Sequence, residues 1–184
     1  RIRIPNGSKS RAGGVLYSDY SLGRFFAEAA RQPWFENTIF LVTADHCASS
    51  AGRTEIPLQK YHIPALILAP GLIEPGVVDG IVSQIDLMPT LLSLLNMSYD
   101  SHFYGRSIFD PAYVNRAFIA TYQDLGYLEG DTFTILSPVR RFEQSRVVPT
   151  EENPHHLEAM ERKDAVQVDR AIGYYQTSCK WNKR

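Results

Sequence analysis

Two short apolar runs dominate the hydrophobic pattern. Ile39–Ala44 (IFLVTA) and Ile63–Ala69 (IPALILA) are each closed by polar or turn-forming residues. Runs of this length, rich in Ile, Leu and Val, mark strands buried on both faces, as in a parallel sheet. Upstream, Val15, Leu22, Phe25, Phe26 and Ala29 recur at helical spacing. They predict a helix over about residues 15–31 that lays an apolar face on the sheet and is ended by Pro33. Downstream, Asp79–Asp86 leads into Leu87–Leu95, where Leu87, Leu91, Leu94 and Leu95 share a face. Ser83 or Asp86 is placed to cap that helix, and Pro89 is tolerated only in its first turn.

Residues 96–113, with Asn96, Asp100, Gly105, Asp110 and Pro111, read as a long loop. Ala117–Tyr122 and Thr132–Leu136 are rich in β-branched and aromatic residues and read as strands. Residues 137–152 are polar and read as an exposed loop. Asn153 as N-cap and Pro154 at the first helical position open a last helix over 153–179. Leu157, Met160, Val168, Ala171, Ile172 and Tyr175 give it one face, with Asp164 interrupting. Residues 1–14, with Pro5, Asn6-Gly7 and Gly13-Gly14, form an irregular lead-in, and 15–136 make the core portion. This order predicts an α/β fold with a mainly parallel sheet flanked by helices.

Composition narrows the function less than the pattern does. At 184 residues the chain fits one domain or a piece of a larger one, and the missing initial Met points to an excised piece. Net charge is −1 with no block of like charge, which argues against a nucleic-acid partner or a polybasic membrane patch. Cys47 and Cys179 fit neither a CxxC nor a zinc-ribbon spacing, and two cysteines make no disulfide framework. No apolar run approaches the ~20 residues that span a bilayer, and Arg1–Pro5 is not a signal peptide.

The candidate chemistry sits where the first run ends, at Asp45-His46, followed by the small residues Cys47–Gly52. In open α/β sheets ligands bind outside the carboxyl ends of strands. A carboxylate oxygen and an imidazole nitrogen suit a divalent ion such as Zn²⁺ or Mn²⁺. Adjacent residues on a straight strand point to opposite faces, so a shared ion requires the chain to turn as it leaves the sheet. The plainer alternative is an Asp that caps a turn beside a surface His. Two ligands are too few for a catalytic metal, so others must come from elsewhere.

Four motifs follow in order along the chain: Thr43-Ala44-Asp45-His46 after an apolar strand, KYHIPALILAP (Lys60–Pro70), VSQIDLMPTLLSLL (Val82–Leu95) and Tyr104-Gly105-Arg106-Ser107. Together they resemble the sulfatase and alkaline-phosphatase superfamily. The third is close to a family segment S-H-x-D-x-x-P-T, with Gln84 where His is usual; the fourth is like G-R-S-L. YSDYSLGRFF, TADHCASSAGRTE and the late GYYQT look most like the lipoteichoic-acid-synthase-type branch, membrane-anchored enzymes that transfer phosphoglycerol from a lipid or cleave related esters.

The resemblance implies that Asp45 and His46 are metal ligands, the ion being Mn, Zn, Mg or Ca. Cys47 stands where the family most often has Gly; it reads as a small buried residue in preference to a ligand. Arg53 falls where sulfatases carry a basic residue against the anionic group, the alternative being a solvated loop arginine; Lys60, which with His62 flanks the start of the second strand, is a second substrate-binding cation. His62 is the candidate catalytic group, donating to an ester oxygen or protonating a leaving group, the alternative being a packed or turn histidine. Asp86 reads as a helix cap, Arg106 as a loop tie, and His102, His155 and His156 as surface residues.

The family's nucleophile, a Cys or Ser in C/S-x-P-S-R or a Thr, is absent, as is its early acidic ligand. The expectation is therefore the C-terminal half of a catalytic domain, inactive by itself. Its substrate would be a phosphate or sulfate ester, on a lipid or glycan, at the outer face of a bacterial cytoplasmic membrane. Phosphoglycerol transfer or phosphodiester cleavage leads, with a sulfatase as the alternative and a non-catalytic extracytoplasmic binding domain as a reading of another class.

Overall fold

The computed structural model describes residues 10–46 and 56–181. The chain divides into two compact units, one running to Val42 and taking in Ala65–Gly76, the other made of Thr43–Pro64 and the chain from Val77 onward. In the first unit, α1 (Arg11–Ala29) starts earlier than the apolar spacing predicts. Ser10 is its N-cap, its hydroxyl accepting from the Gly13 amide at 3.2 Å. One cap of this kind contributes about 1 kcal/mol, which offsets much of what Gly13 and Gly14 cost in the first turns.

The apolar face of α1 is less covered than expected. Ala29 is its one fully buried residue, while Val15 is 66% exposed. Its packing is concentrated at the C-terminal end, where the Phe25 and Phe26 rings stand 5.9 and 5.4 Å from that of Phe40. Phe40 opens β1 (Phe40–Thr43), which pairs with β2 (Ala65–Leu68) in a two-stranded sheet. β2 carries Leu66 exposed where burial on both faces was expected.

The second unit holds α2 (Leu87–Leu94) and a five-stranded sheet of β3 (Arg116–Ala120), β4 (Leu125–Glu129), β5 (Thr132–Ser137), β6 (Arg141–Val147) and β7 (Leu157–Ala159). The α/β class is as expected, with sheets flanked by helices, but the pairs of this larger sheet are antiparallel instead of parallel. The reason is local. Parallel neighbours need a crossover of a dozen or more residues, whereas the connections between these strands are all shorter than that. Gly130, at φ +58°, makes the two-residue turn between β4 and β5.

Two segments differ from expectation for the same kind of reason. Residues 137–152 contain β6, whose polar sequence hides a strand: Gln144 is buried, its amide bonding to the Thr134 hydroxyl at 2.9 Å and the Asp164 carbonyl at 3.1 Å. Residues 153–179 are not one helix. Asn153 caps a turn, accepting the His155 amide at 2.9 Å, the short β7 follows, and α3 spans Ala165–Trp181. Asp164, read as an interruption, is what starts α3, accepting the Gln167 amide at 3.1 Å.

The sheet is covered on both faces. Ile56, Leu58, Ile119, Leu128 and Phe133 form one buried cluster, against which Ile135, Val147 and Leu157 pack. Gly126 sits in this layer because a Cβ there would meet the Phe133 ring at 2.9 Å. On the other face α3 brings Tyr174 to 4.9 Å from Phe118, and the Tyr175 hydroxyl donates to the Gly126 carbonyl at 2.8 Å. Burial pushes the Tyr175 hydroxyl up to about 12, so it stays protonated and donating at any ordinary pH.

Candidate functional site

The site is built outward from one buried carboxylate. Asp86, fully buried, ends the short 3₁₀ turn Gln84–Asp86 that feeds into α2. Its oxygens accept from the Ser83 amide at 3.1 Å, the Arg106 amide at 2.8 Å and the Tyr113 hydroxyl at 2.9 Å. The Arg116 guanidinium, also buried, meets the same carboxylate with two nitrogens, at 2.9 and 3.1 Å. This planar fork suits arginine and not lysine. Burial, aided by the bond to Asp86, holds the Tyr113 hydroxyl well above its ordinary value.

Two of the sequence motifs meet here. Thr90 donates to the Asp86 carbonyl at 2.7 Å and accepts the Ile108 amide at 3.1 Å, so the D-x-x-P-T segment clamps the G-R-S segment. Gly105 lies so close to this turn that a Cβ would stand 1.9 Å from the Ile85 carbonyl oxygen. Asp86 stands at the N-cap position of α2 but makes no side-chain cap bond there; its carboxylate is instead the hub of a cluster that the sequence does not reveal. Arg106 ties its loop through its backbone amide.

From this hub Gln84 reaches the strand exit. Its side-chain amide donates to the carbonyls of Ala44 at 3.1 Å and Asp45 at 3.3 Å. The Ala44 amide donates to the Pro64 carbonyl at 3.4 Å, and the Thr43 hydroxyl donates there too, at 3.1 Å. Beyond Ala44 the chain bends, as sharing an ion requires. Asp45 Oδ1 accepts the His46 amide at 2.9 Å, and Asp45 Oδ2 lies 3.5 Å from His46 Nε2. Both side chains are exposed, 87% for Asp45 and 75% for His46.

The donors fit a divalent cation. Two ligands of a tetrahedral ion with bonds of ~2.0–2.1 Å stand roughly 3.3 Å apart. The 3.5 Å between Oδ2 and Nε2 is close to that bite. Among the described residues no group of three His, Cys, Asp or Glu assembles that could hold a metal ion.

The other candidates fall out differently. Arg53 and Cys47 lie outside the described residues. Lys60 closes the 3₁₀ turn Leu58–Lys60, half-buried, with Leu58 anchored in the core. His62 is exposed just beyond that turn, two residues before the Pro64 carbonyl that holds the strand exit. Its ring meets that of His155 edge-on, with centroids 5.6 Å apart.

His155 is therefore no plain surface residue: it is half-buried. Burial, and then the charge of His62, hold its imidazole below the ordinary 6.5. A depressed histidine leaves the folded state short of protons relative to the unfolded chain. Stability is then unaffected above about pH 6.5 and falls as pH drops from there through the folded value. Urea midpoints at pH 7.5 and 5.5 should show that fall, and His155→Gln should make it smaller.

Gln84, Arg116 and His155 are the residues that sequence reasoning passed over. The register of Gln84 in the S-x-x-D segment was the one available signal. Arg116 opens a strand and His155 follows a proline, with nothing local to mark either.

Residues 7–97 match the model of the Sulfatase family. Over 107 residues the chain is 30% identical to an arylsulfatase of Clostridium perfringens (strain 13 / Type A), covering 53% of this chain and 22% of that protein. A crystal structure of a protein in the alkaline phosphatase superfamily from Vibrio parahaemolyticus superposes with a TM-score of 0.81 at 30% identity. It covers 97% of this chain and 45% of that one. The structure of Ps i-CgsB, at 18% identity and a TM-score of 0.59, shares the fold, covering 96% of this chain and 44% of its own. The chain thus spans less than half the length of each of these relatives. The Sulfatase match and these structural neighbours together support a place for the chain in the sulfatase and alkaline-phosphatase superfamily.

Proposed function

We propose that the intact protein carrying this chain is a metal-dependent enzyme acting on sulfate or phosphate esters, with Asp45 and His46 as two of the metal's ligands. The observation that carries this reading is the convergence of Oδ2 and Nε2 to 3.5 Å at the end of β1. When bound, a divalent cation supplies positive charge against the oxygens of the transferring group. The chain's own residues do the rest of what it contributes. Asp45 and His46 hold their donor atoms in place. Lys60, and Arg53 in the same stretch, present cations to the anionic group. The His62 imidazole N–H donates to the ester oxygen that leaves.

Phosphoglycerol transfer or phosphodiester cleavage, at the outer face of a bacterial cytoplasmic membrane, is the form that the motif resemblance favours. No helix among the described residues is long and apolar enough to cross a membrane. Sulfate-ester hydrolysis is the second reading, favoured by the 107 residues similar to an arylsulfatase.

The intact protein, assayed with an aryl sulfate and with an aryl phosphodiester, separates the two. Asp45→Asn should strip the bound metal, read by elemental analysis. It should lower turnover of the preferred ester at least ~100-fold, equivalent to about 2.7 kcal/mol of transition-state stabilisation. An unchanged metal content would remove Asp45 from the site.

A further inference from the structure

We propose that Gln84 is a positioning residue for the Asp45–His46 half-site, its side-chain amide fixing the bend that makes the two ligands converge. The inference rests on the metal reading above. An exposed glutamine is ordinarily a solvated side chain, but this one spans about forty positions of sequence to reach two consecutive carbonyls, at 3.1 and 3.3 Å. One amide bound to the carbonyls of Ala44 and Asp45 sets the orientation of both peptide planes. The Asp45 backbone is then fixed on either side of its Cα. Oδ1 is used on the His46 amide at 2.9 Å, which leaves Oδ2 turned to His46 Nε2.

The other end of the tie is equally fixed. Gln84 opens the 3₁₀ turn whose last residue is the buried Asp86, and Ser83 and Asp86 close a reciprocal capping box around it. Gln84 thus carries the rigidity of the Asp86–Arg116 cluster to an exposed strand exit that lacks burial of its own. Supporting bonds to metal ligands typically alter affinity 10–100-fold without touching the ion. Glutamine also explains how the position works without the histidine that the resembling motif carries: either side chain offers an N–H.

The test uses the intact protein and three substitutions. Gln84→Glu keeps the shape but replaces the donor with an anion facing two carbonyls. It should weaken Zn²⁺ and Mn²⁺ binding, measured by calorimetry, roughly 10–100-fold while the unfolding midpoint stays near wild type. Gln84→Ala should weaken binding less, and Gln84→His, which donates again, should restore much of the affinity. Equal affinity in wild type and Gln84→Glu, or no advantage of His over Glu, would overturn the inference.

A second readout needs no metal. Hydrogen exchange of the segment Thr43–His46 should speed up in Gln84→Glu and recover in Gln84→His. Unchanged exchange would overturn the positioning role whatever the metal does. If wild type binds no metal that Asp45→Asn removes, the proposed function fails, and the exchange result still decides for or against Gln84.

Discussion

Asp86→Asn should cost about 3–5 kcal/mol of folding stability, the range found when one partner of a buried ion pair is removed. That is a large share of the 5–15 kcal/mol that holds a typical domain. The geometry says why the value should be high. Asp86 is fully buried, and among the described residues no other carboxylate pairs with the Arg116 charge that would be left beside it. Asparagine would present one acceptor where the carboxylate offers two, and its NH₂ would face donors. The Ser83 and Arg106 amides, the Tyr113 hydroxyl and the guanidinium would then compete for a single oxygen.

A companion variant separates the ion pair from the rest of the hub. Buried pairs exchanged for apolar residues of like volume are often neutral or stabilising. Here Asp86→Leu with Arg116→Met should remain strongly destabilised, because the buried Ser83 amide and the part-buried Arg106 amide lose their acceptor. Urea denaturation of the intact protein reads both results. A double variant as stable as wild type would show that the pair, and not the backbone amides, is what Asp86 serves.

Much of this could be read from the sequence, and the part that could not has a physical pattern. β1, β2, α2, β3 and β5 follow from apolar runs and helical spacing, because those runs lie within single stretches of sequence. β4 breaks its run with Gly126, required by the Phe133 ring, and β6 buries Gln144 and not a hydrophobe. A buried polar residue with all its partners is invisible to a hydrophobic pattern. Asn153-Pro154 is a sound helix start by local rules, yet β6 offers β7 a strand to pair with, and the tertiary pairing wins.

The site divides the same way. The Asp-His pair stood out as chemistry, and its bend was anticipated, but the residues that hold the bend were not. Gln84 and Arg116 act over sequence separations of 39 and 30. Such contacts exist only once the chain has folded, and no local window contains them.

Gly105→Ala should be the next most damaging single change, at about 3 kcal/mol. The cost comes from lack of space, not from backbone conformation. The added Cβ would stand 1.9 Å from the Ile85 carbonyl oxygen and 2.5 Å from its carbon. No side-chain rotation relieves a clash with backbone, so either the 104–107 segment or the Gln84–Asp86 turn must retreat. Overpacking of that kind costs about 1–3 kcal/mol. Retreat also stretches the Arg106 amide bond to Asp86, now 2.8 Å, and the Ile108 amide bond to Thr90, now 3.1 Å, adding about 1 kcal/mol or more for each that breaks.

Gly130→Ala is the control. There φ is +58° and nothing lies within 4 Å, so the cost is conformational alone, about 1–2 kcal/mol. The cycle pairing Gly105→Ala with Asp86→Asn is more telling. Both variants spend the same bond between Arg106 and Asp86, so their effects should sum to clearly more than the double variant loses. Strict additivity would mean that the G-R-S and D-x-x-P-T segments are packed together but not coupled. Coupling would mean that the hub is one cooperative unit, and the Gln84 tie to Ala44 and Asp45 is then only as firm as that unit.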